Sequence, residues 1–294
     1  KGETARRLAG AIGGEIVSVD SMKVYRGMDI GTAKPTVEQR GDVPHHLIDM
    51  RDPWESFSVA QFVESADRVA DEIHARGRPV VVVGGTLLYF RCLYEGLFDA
   101  PSADAKIRDE IRRRAESEGT DVLHAELAEI DPEAAARIHR NDLRRIERAL
   151  EVYRLTGTPI SRLQREWTGG GPRRADWRWT LIGLQREREA CNRRINERVG
   201  RMMERGLLDE ARRLHHDARG MSEQASRAVG YAELFEHFAG RLSLGEAVER
   251  IKINSRRLGK HQRTWLKRFA AMRWIDASDD DHAGRLERIL ELMR

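Results

Sequence analysis

Two cysteines among 294 residues are too few for a disulfide framework or a thiolate metal site. Cys92 and Cys191 both fall in helical patterns and read as buried thiols of a reducing compartment. No run approaches the ~18 apolar residues of a membrane-spanning helix. No targeting segment is visible either, although the chain opens abruptly at Lys1. These absences argue against a secreted scaffold and a helical membrane protein, and leave a cytoplasmic globular chain. A strong net charge is also missing: 52 basic residues face 48 acidic ones, for a balance of +4. Where the charges stand therefore matters more than their sum.

Apolar residues make up 40 % and charged residues 34 %, which suffices for a full α/β core with room for a second, smaller unit. Ile16-Val17-Ser18-Val19 reads as a buried parallel strand, β-branched on both faces. It ends in Asp20-Ser21. Open α/β sheets bind ligands beyond the carboxyl ends of their strands, so Asp20 has three readings: general base, metal ligand or cap of the following turn. Before it, a helix from Ala5 to Ile12 is stopped by Gly13-Gly14. A lysine at that helix's start is what remains of a phosphate-binding loop whose glycines would precede Lys1.

Residues 24–44 lack periodicity, as a functional loop or lid does. Within it and at its edge, Lys34 and Lys23 either touch phosphate or face water. His45 to Asp49 reads as a short strand, whose adjacent histidines point to opposite faces and so share no metal. Ser58 to Gln61 is a capping box opening a helix through His74. Pro79 to Val83 is the clearest buried strand, and Gly84-Gly85-Thr86 at its tip either lets backbone amides approach a ligand or makes an ordinary tight strand-to-helix turn. A core helix from Leu87 to Leu97 follows.

Residues 105–171 change character: helical patterns near 106–118, 120–129, 133–138 and 142–155, without a strand. Within them Arg137, His139, Arg140, Arg144, Arg145 and Arg148 cluster against only Asp142 and Glu147. Arg144, Arg145 and Arg148 have the spacing for two or three of them to face one phosphate-rich partner, or water. After a glycine-rich joint, Trp177 to Leu184 returns to strand, and helices follow near 187–205 and 207–216. Residues 251–273 hold eight lysines and arginines and no acid. On a helix, Arg256, Lys260, Arg263 and Lys267 form one basic stripe, while Ile251, Leu258, Trp265 and Phe269 dock on the core. Like charges so placed repel unless an anion compensates, which favours a pyrophosphate or nucleic-acid face. A short strand over Arg273–Asp276 and a helix over Arg285–Met293 close the chain.

Several stretches resemble the tRNA dimethylallyltransferase family, in its order and over nearly the whole chain. They are 13–35, Val43 to Asp49, Gly84-Gly85-Thr86, Asn141-Asp142 with Arg145, Arg148 to Glu151, Thr156 to Pro159, Ala228 to Tyr231, and Arg263 to Leu266. The resemblance implies an α/β fold with a P-loop kinase-like parallel sheet core (1–104 and 172–294) and a helical insertion (105–171) gripping the anticodon stem. It implies transfer of a dimethylallyl group from its diphosphate to N6 of the adenosine 3′ of the anticodon. Asp20 would be the general base and Thr86 would help position the adenine. Lys1 and Gly2 would meet the diphosphate, with Arg256 and Lys260 as further candidates. Contacts to tRNA would fall to Asp20, Ser21, Met22, Lys23, Thr86 and Arg108. Others would be Arg144, Arg145, Ile146, Glu147 and Arg148, and Arg227, Ala228, Val229, Gly230, Tyr231 and Ala232. Mg²⁺ is the implied cofactor, and a monomer the expected state.

Three departures stand out. Gly2 replaces the hydroxyl residue expected to help hold Mg²⁺, which leaves water or Thr4 for that task. The loop's glycine-rich front is missing, so weak diphosphate binding is expected. Leu87 stands where many relatives have a small residue. The alternatives on such a fold are an adenylate isopentenyltransferase, a nucleotide kinase, or a non-enzymatic RNA-binding relative.

Overall fold

The computed structural model describes residues 1–97, 101–166, 171–279 and 281–294. They divide into two compact units: Lys1–Cys92 with Asp176–Arg294, and Leu93–Ala175. The first unit opens with α1 (Gly2–Ile12), three residues earlier than the periodicity predicts. Gly13 ends it in the left-handed region (φ 65°), where its N–H bonds the Ala9 carbonyl. Ala5, Leu8 and Ala9 of α1 pack into one cluster with Ile16, Val81, Ile275 and Ile289.

β1 (Glu15–Val19) is buried along its whole length, as β-branched residues on both faces require. After the short α2 (Val37–Arg40) come β2 (His45–His46), α3 (Val59–Ala75), β3 (Val80–Gly84) and α4 (Leu87–Glu95). β1 is parallel to β2 on one side and to β3 on the other. Burial of Glu15 at the head of β1 is offset by Arg76 (2.8 Å), Arg78 (3.3 Å) and His46 (2.7 Å). Arg76 foremost, then His46, holds its carboxyl below the usual carboxylate range.

Two expectations near β2 fail. The strand expected to reach Asp49 stops at His46, because Leu47 (φ 60°) and Asp49 (φ 57°) turn the chain away. Lys34, expected to meet phosphate or water, does neither. Its ammonium is buried between Asp29 and Asp49, 2.6 Å from each, and donates to the Tyr25 carbonyl at 2.7 Å. The irregular stretch is thus cross-linked and packed, with Val24, Tyr25 and Met28 fully enclosed.

The remainder of this unit is β4 (Ile182–Gln185), α10 (Arg188–Glu204), α11 (Leu207–His215), α12 (Glu223–Ser226), α13 (Tyr231–Phe238), α14 (Leu244–Leu266), β5 (Arg273–Asp276) and α15 (His282–Met293). The helices of the second unit, α5 to α9, precede them in the chain and are given below. β4 is shorter than predicted, and Trp177 and Trp179 lie outside it. β4 and β5 are parallel partners in a sheet of their own, so the strands form two ladders rather than one continuous sheet. α14 ends at Leu266, so Lys267 and Phe269, placed on the helix by their spacing, lie beyond it. Its inward positions are Ala247, Ile251 and Ser255, whereas Leu258, expected on the core face, is 49 % exposed. Cys92 is buried and Cys191 only half-buried.

The second unit holds α5 (Ala105–Glu118), α6 (Thr120–Ile130), α7 (Pro132–Arg137), α8 (Leu143–Thr156) and α9 (Ile160–Glu166). Asp104, Asp131 and Asp142 cap α5, α7 and α8 through their side chains. Ile111, Leu123, Leu127, Ile146, Leu150 and Ile160 form its core. The glycine-rich joint near 168–172 lies largely outside the described residues.

Candidate active site

The register of β1 and β3 builds the site. Val19 pairs with Gly84, so the two strand tips leave the sheet side by side. Gly84 is required there: a Cβ on it would stand 1.8 Å from the Val19 carbonyl oxygen. That carbonyl accepts the N–H of Gly85 (3.1 Å) and of Thr86 (3.2 Å). The amides of Gly85 and Thr86 are therefore spent on β1 rather than offered to a ligand. What comes close to Gly85 instead is the Lys1 ammonium and the Gln262 amide, 2.7 and 2.6 Å from where a Cβ would lie. Gln262, on α14, donates to the Gly85 carbonyl at 2.9 Å.

Thr86 Oγ1 accepts the Ser21 N–H at 2.9 Å and donates to Ser21 Oγ at 3.2 Å. This fixes the turn after β1. Asp20 caps the same turn, its Oδ1 accepting the N–H groups of Met22 (3.0 Å) and Lys23 (3.2 Å). Oδ2 makes no hydrogen bond among the described residues. The capping reading and the chemical one thus coexist, one oxygen serving each.

Lys1 and Lys23 line the pocket with this carboxylate, and Arg198, outside the pocket wall, stands within its electrostatic reach. The protein crowding each cationic head lowers its pKa, and the Asp20 charge opposes that shift in all three. Lys1 and Arg198 as whole residues remain exposed, so the desolvation is that of a recess open on one side. Lys1, Gly2, Asp20 and Lys23 line a pocket of about 310 Å³, walled on its apolar side by Ala33, Pro35 and Ile48. His45 also lines it. Its Nδ1 lies 2.7 Å from the Val43 carbonyl, and surrounding protein lowers its pKa below that of a free imidazole. Three cations about one carboxylate form a receptor for a strongly anionic group.

Other expected residues lie elsewhere. Arg256 and Lys260 are not part of the pocket wall: Arg256 donates to Asn196 at 2.6 Å, and Lys260 is exposed. Of the 227–232 segment, Arg227 is outward and paired with Glu223 at 3.0 Å. Ala228, Gly230 and Tyr231 are buried, Tyr231 fully, so its ring offers nothing to an RNA surface. Within the helical unit, Ile146 and Glu147 face inward. Arg108 bonds Glu151 through two nitrogens (2.8 and 2.9 Å), and Arg148 bonds Glu151 and the Pro101 carbonyl. These two arginines hold the fold together. Arg144 and Arg145 point to solvent, Arg145 paired with Asp142 at 3.1 Å. Sequence reasoning missed Arg198, although its i−4 and i+3 spacing to Arg194 and Arg201 was a signal. Gln262 carried none.

Residues 23–269 match the family model described as IPP transferase. The chain belongs to the IPP transferase family. Among its relatives, a tRNA dimethylallyltransferase of Geobacillus thermodenitrificans is 47 % identical over 93 % of this chain and 86 % of that one. One of Geobacter metallireducens is 46 % identical over 99 % and 91 %. The solved tRNA isopentenylpyrophosphate transferase of Bacillus halodurans superposes with a TM-score of 0.69 at 41 % identity, covering 100 % of this chain and 95 % of that one. A eukaryotic dimethylallyltransferase solved acting on tRNA gives a TM-score of 0.80 at 26 % identity, over 99 % and 74 %. As in those IPP transferases, the fold here is α/β with parallel strands. Among the described residues no helix is long and apolar enough to cross a membrane.

Proposed function

We propose that this chain transfers the dimethylallyl group of dimethylallyl diphosphate to N6 of the adenosine 3′-adjacent to the anticodon of tRNA, in the cytoplasm. The observation that carries this reading is the Asp20 carboxylate, one oxygen unused, set among Lys1, Lys23 and Arg198. The names of the relatives support it. In the reaction the amine nitrogen attacks the allylic carbon, the carbon–oxygen bond to diphosphate breaks, and its electron pair leaves on oxygen. Lys1, Lys23 and Arg198 stabilise that growing charge from a recess where screening by water is reduced. Oδ2 of Asp20 receives the proton that N6 sheds as the new bond forms. The adenine must leave the anticodon-loop stack to enter, at about a few kcal/mol. The outward Arg144 and Arg145 supply sequence-independent contacts to the RNA backbone.

Magnesium binds hard oxygens in octahedral geometry, commonly one or two carboxylates with substrate phosphates. Among the described residues no three His, Cys, Asp or Glu side chains converge to hold an ion. Gly2 brings no hydroxyl to the pocket wall. The Thr4 hydroxyl is buried and unpartnered, but Thr4 is not part of that wall. Asp20 is the carboxylate of the pocket floor that would hold a Mg²⁺ ion together with the oxygens of the substrate diphosphate, and the ion would add its charge to that of the cations.

The test incubates the protein with dimethylallyl diphosphate and either unmodified tRNA or free AMP, then weighs the released nucleosides. Prenylated adenosine from tRNA alone is expected; product from AMP alone transfers the assignment to a free-nucleotide enzyme. Asp20→Asn keeps the turn-capping oxygen and removes the proton acceptor. It should lower kcat by about 10²–10⁴-fold and leave inorganic diphosphate bound at least as tightly. Wild-type turnover by this variant would exclude Asp20 as the base.

A further inference from the structure

Glu210 of α11 is buried, and its carboxylate collects four donors. The N–H groups of Asp29, Ile30 and Gly31 reach it at 2.9–3.0 Å, and the Tyr231 hydroxyl at 2.6 Å. Burial, then the Glu210 charge, pushes the Tyr231 phenol far up, so it stays a donor. The hydroxyl end of its ring lies close against Gly31, where a Cβ would meet Cε2, Cζ and the hydroxyl oxygen at 2.5–2.7 Å. The loop is gripped again at Gly27, whose carbonyl accepts Arg213 of α11 (3.3 Å), and at Lys34. Between the Glu210 grip and the Lys34 grip stands Ala33, at φ 51°, and Pro35 follows directly. These two residues line the pocket on the apolar side they share with Ile48.

We propose that Glu210, seconded by Tyr231, is a positioning residue that holds the Ala33–Pro35 wall against the hydrocarbon part of a prenyl diphosphate. The inference rests on the prenyl-transfer reading for the identity of the ligand. Neither Glu210 nor Tyr231 bonds any of the three cations. Asp20 and Lys23 are tied through the β1 turn, while Lys1 precedes α1 and Arg198 stands on α10. A loosened wall therefore weakens contact with the hydrocarbon and leaves the diphosphate receptor standing.

The experiment measures, for wild type, Glu210→Gln and Tyr231→Phe, the affinity for inorganic diphosphate and for a non-hydrolysable dimethylallyl diphosphate analogue. Glutamine turns an amide donor toward backbone donors, so E210Q should bind the prenyl analogue on the order of tenfold to a hundredfold more weakly. Inorganic diphosphate should bind within about twofold of wild type. Y231F keeps the ring against Gly31 and loses one donor, and should show the same selectivity to a smaller degree. Hydrogen exchange at the amides of residues 29–31 should quicken in both. Equal loss for both ligands, or unchanged prenyl affinity, overturns the proposal, as does unchanged amide exchange. A wild type that binds the two ligands alike refutes the prenyl-transfer reading instead, and the exchange rates then decide the clamp by themselves.

Discussion

At the scale of single residues, the site depends on side chains doing two things at once. Asp20 caps a turn with one oxygen and offers the other, and Gly84 is absent of side chain so that a carbonyl can lie where its Cβ would be. The cations make the clearest demand on solution behaviour. Lys1 and Lys23 have pKa values lowered by the protein around them and partly restored by Asp20. Diphosphate affinity is then full while both are protonated and declines as pH rises through their lowered values, below the ~10.4 of a free lysine. A bound anion raises those values again, so binding takes up protons in that window. Calorimetric titration of inorganic diphosphate between about pH 7 and 10, in buffers of different ionisation enthalpy, should show both effects. Lys23→Met should flatten the curve, and an identical curve for wild type and variant would contradict the assignment.

At the scale of elements, the helical unit turns on one carboxylate. Glu151 of α8 is fully enclosed, and it gathers Arg108, Arg148 and the Asp104 N–H. Burial pushes its pKa up, but those partners outweigh burial and the net shift is downward. Its folded pKa is depressed, so its contribution is present above the unfolded value of ~4.3 and is lost as pH falls through the lower folded one. Glu151→Gln should cost this unit about 2–4 kcal/mol near neutral pH, an amount that shrinks toward acid. Denaturant unfolding followed by probes within residues 93–175 measures it. A cost independent of pH would show that packing, not charge, is at stake. The same arrangement divides the arginines at helical spacing: α8 turns Arg148 toward Glu151, and Arg144 and Arg145 toward water.

At the scale of the whole molecule, recognition of a large polyanion and recognition of a small one call on different cations. Replacing Arg144 and Arg145 together by alanine should weaken tRNA binding and reduce the slope of log K against log salt by about 1–2. Inorganic diphosphate affinity should not change. Filter binding across a salt series tests this, and an unchanged slope would remove both residues from the RNA interface.

Much was decided by sequence alone. Hydrophobic periodicity placed α3, β1, β3, β5 and α5 to α8 within a few residues, because burial of one face is a local pattern in the chain, but it did not find α9. The Asp20 turn and the Gly84-Gly85-Thr86 tip were legible because strand ends followed by turn residues are local signals too. What the tertiary structure decided was pairing. Only the β1–β3 register brings Asp20 beside Thr86, and only folding shows that the Gly85 and Thr86 amides answer Val19 rather than a ligand. Lys34, Arg108, Arg148 and Glu210 are charged residues, and a sequence pattern assigns charge to the surface. For Lys34, Arg108 and Glu210 the partners Asp49, Glu151 and the 29–31 amides lie 15 to 181 positions away. Whether a charge meets water, a ligand or the protein itself is settled by which distant residue arrives beside it, and that information is held in the fold.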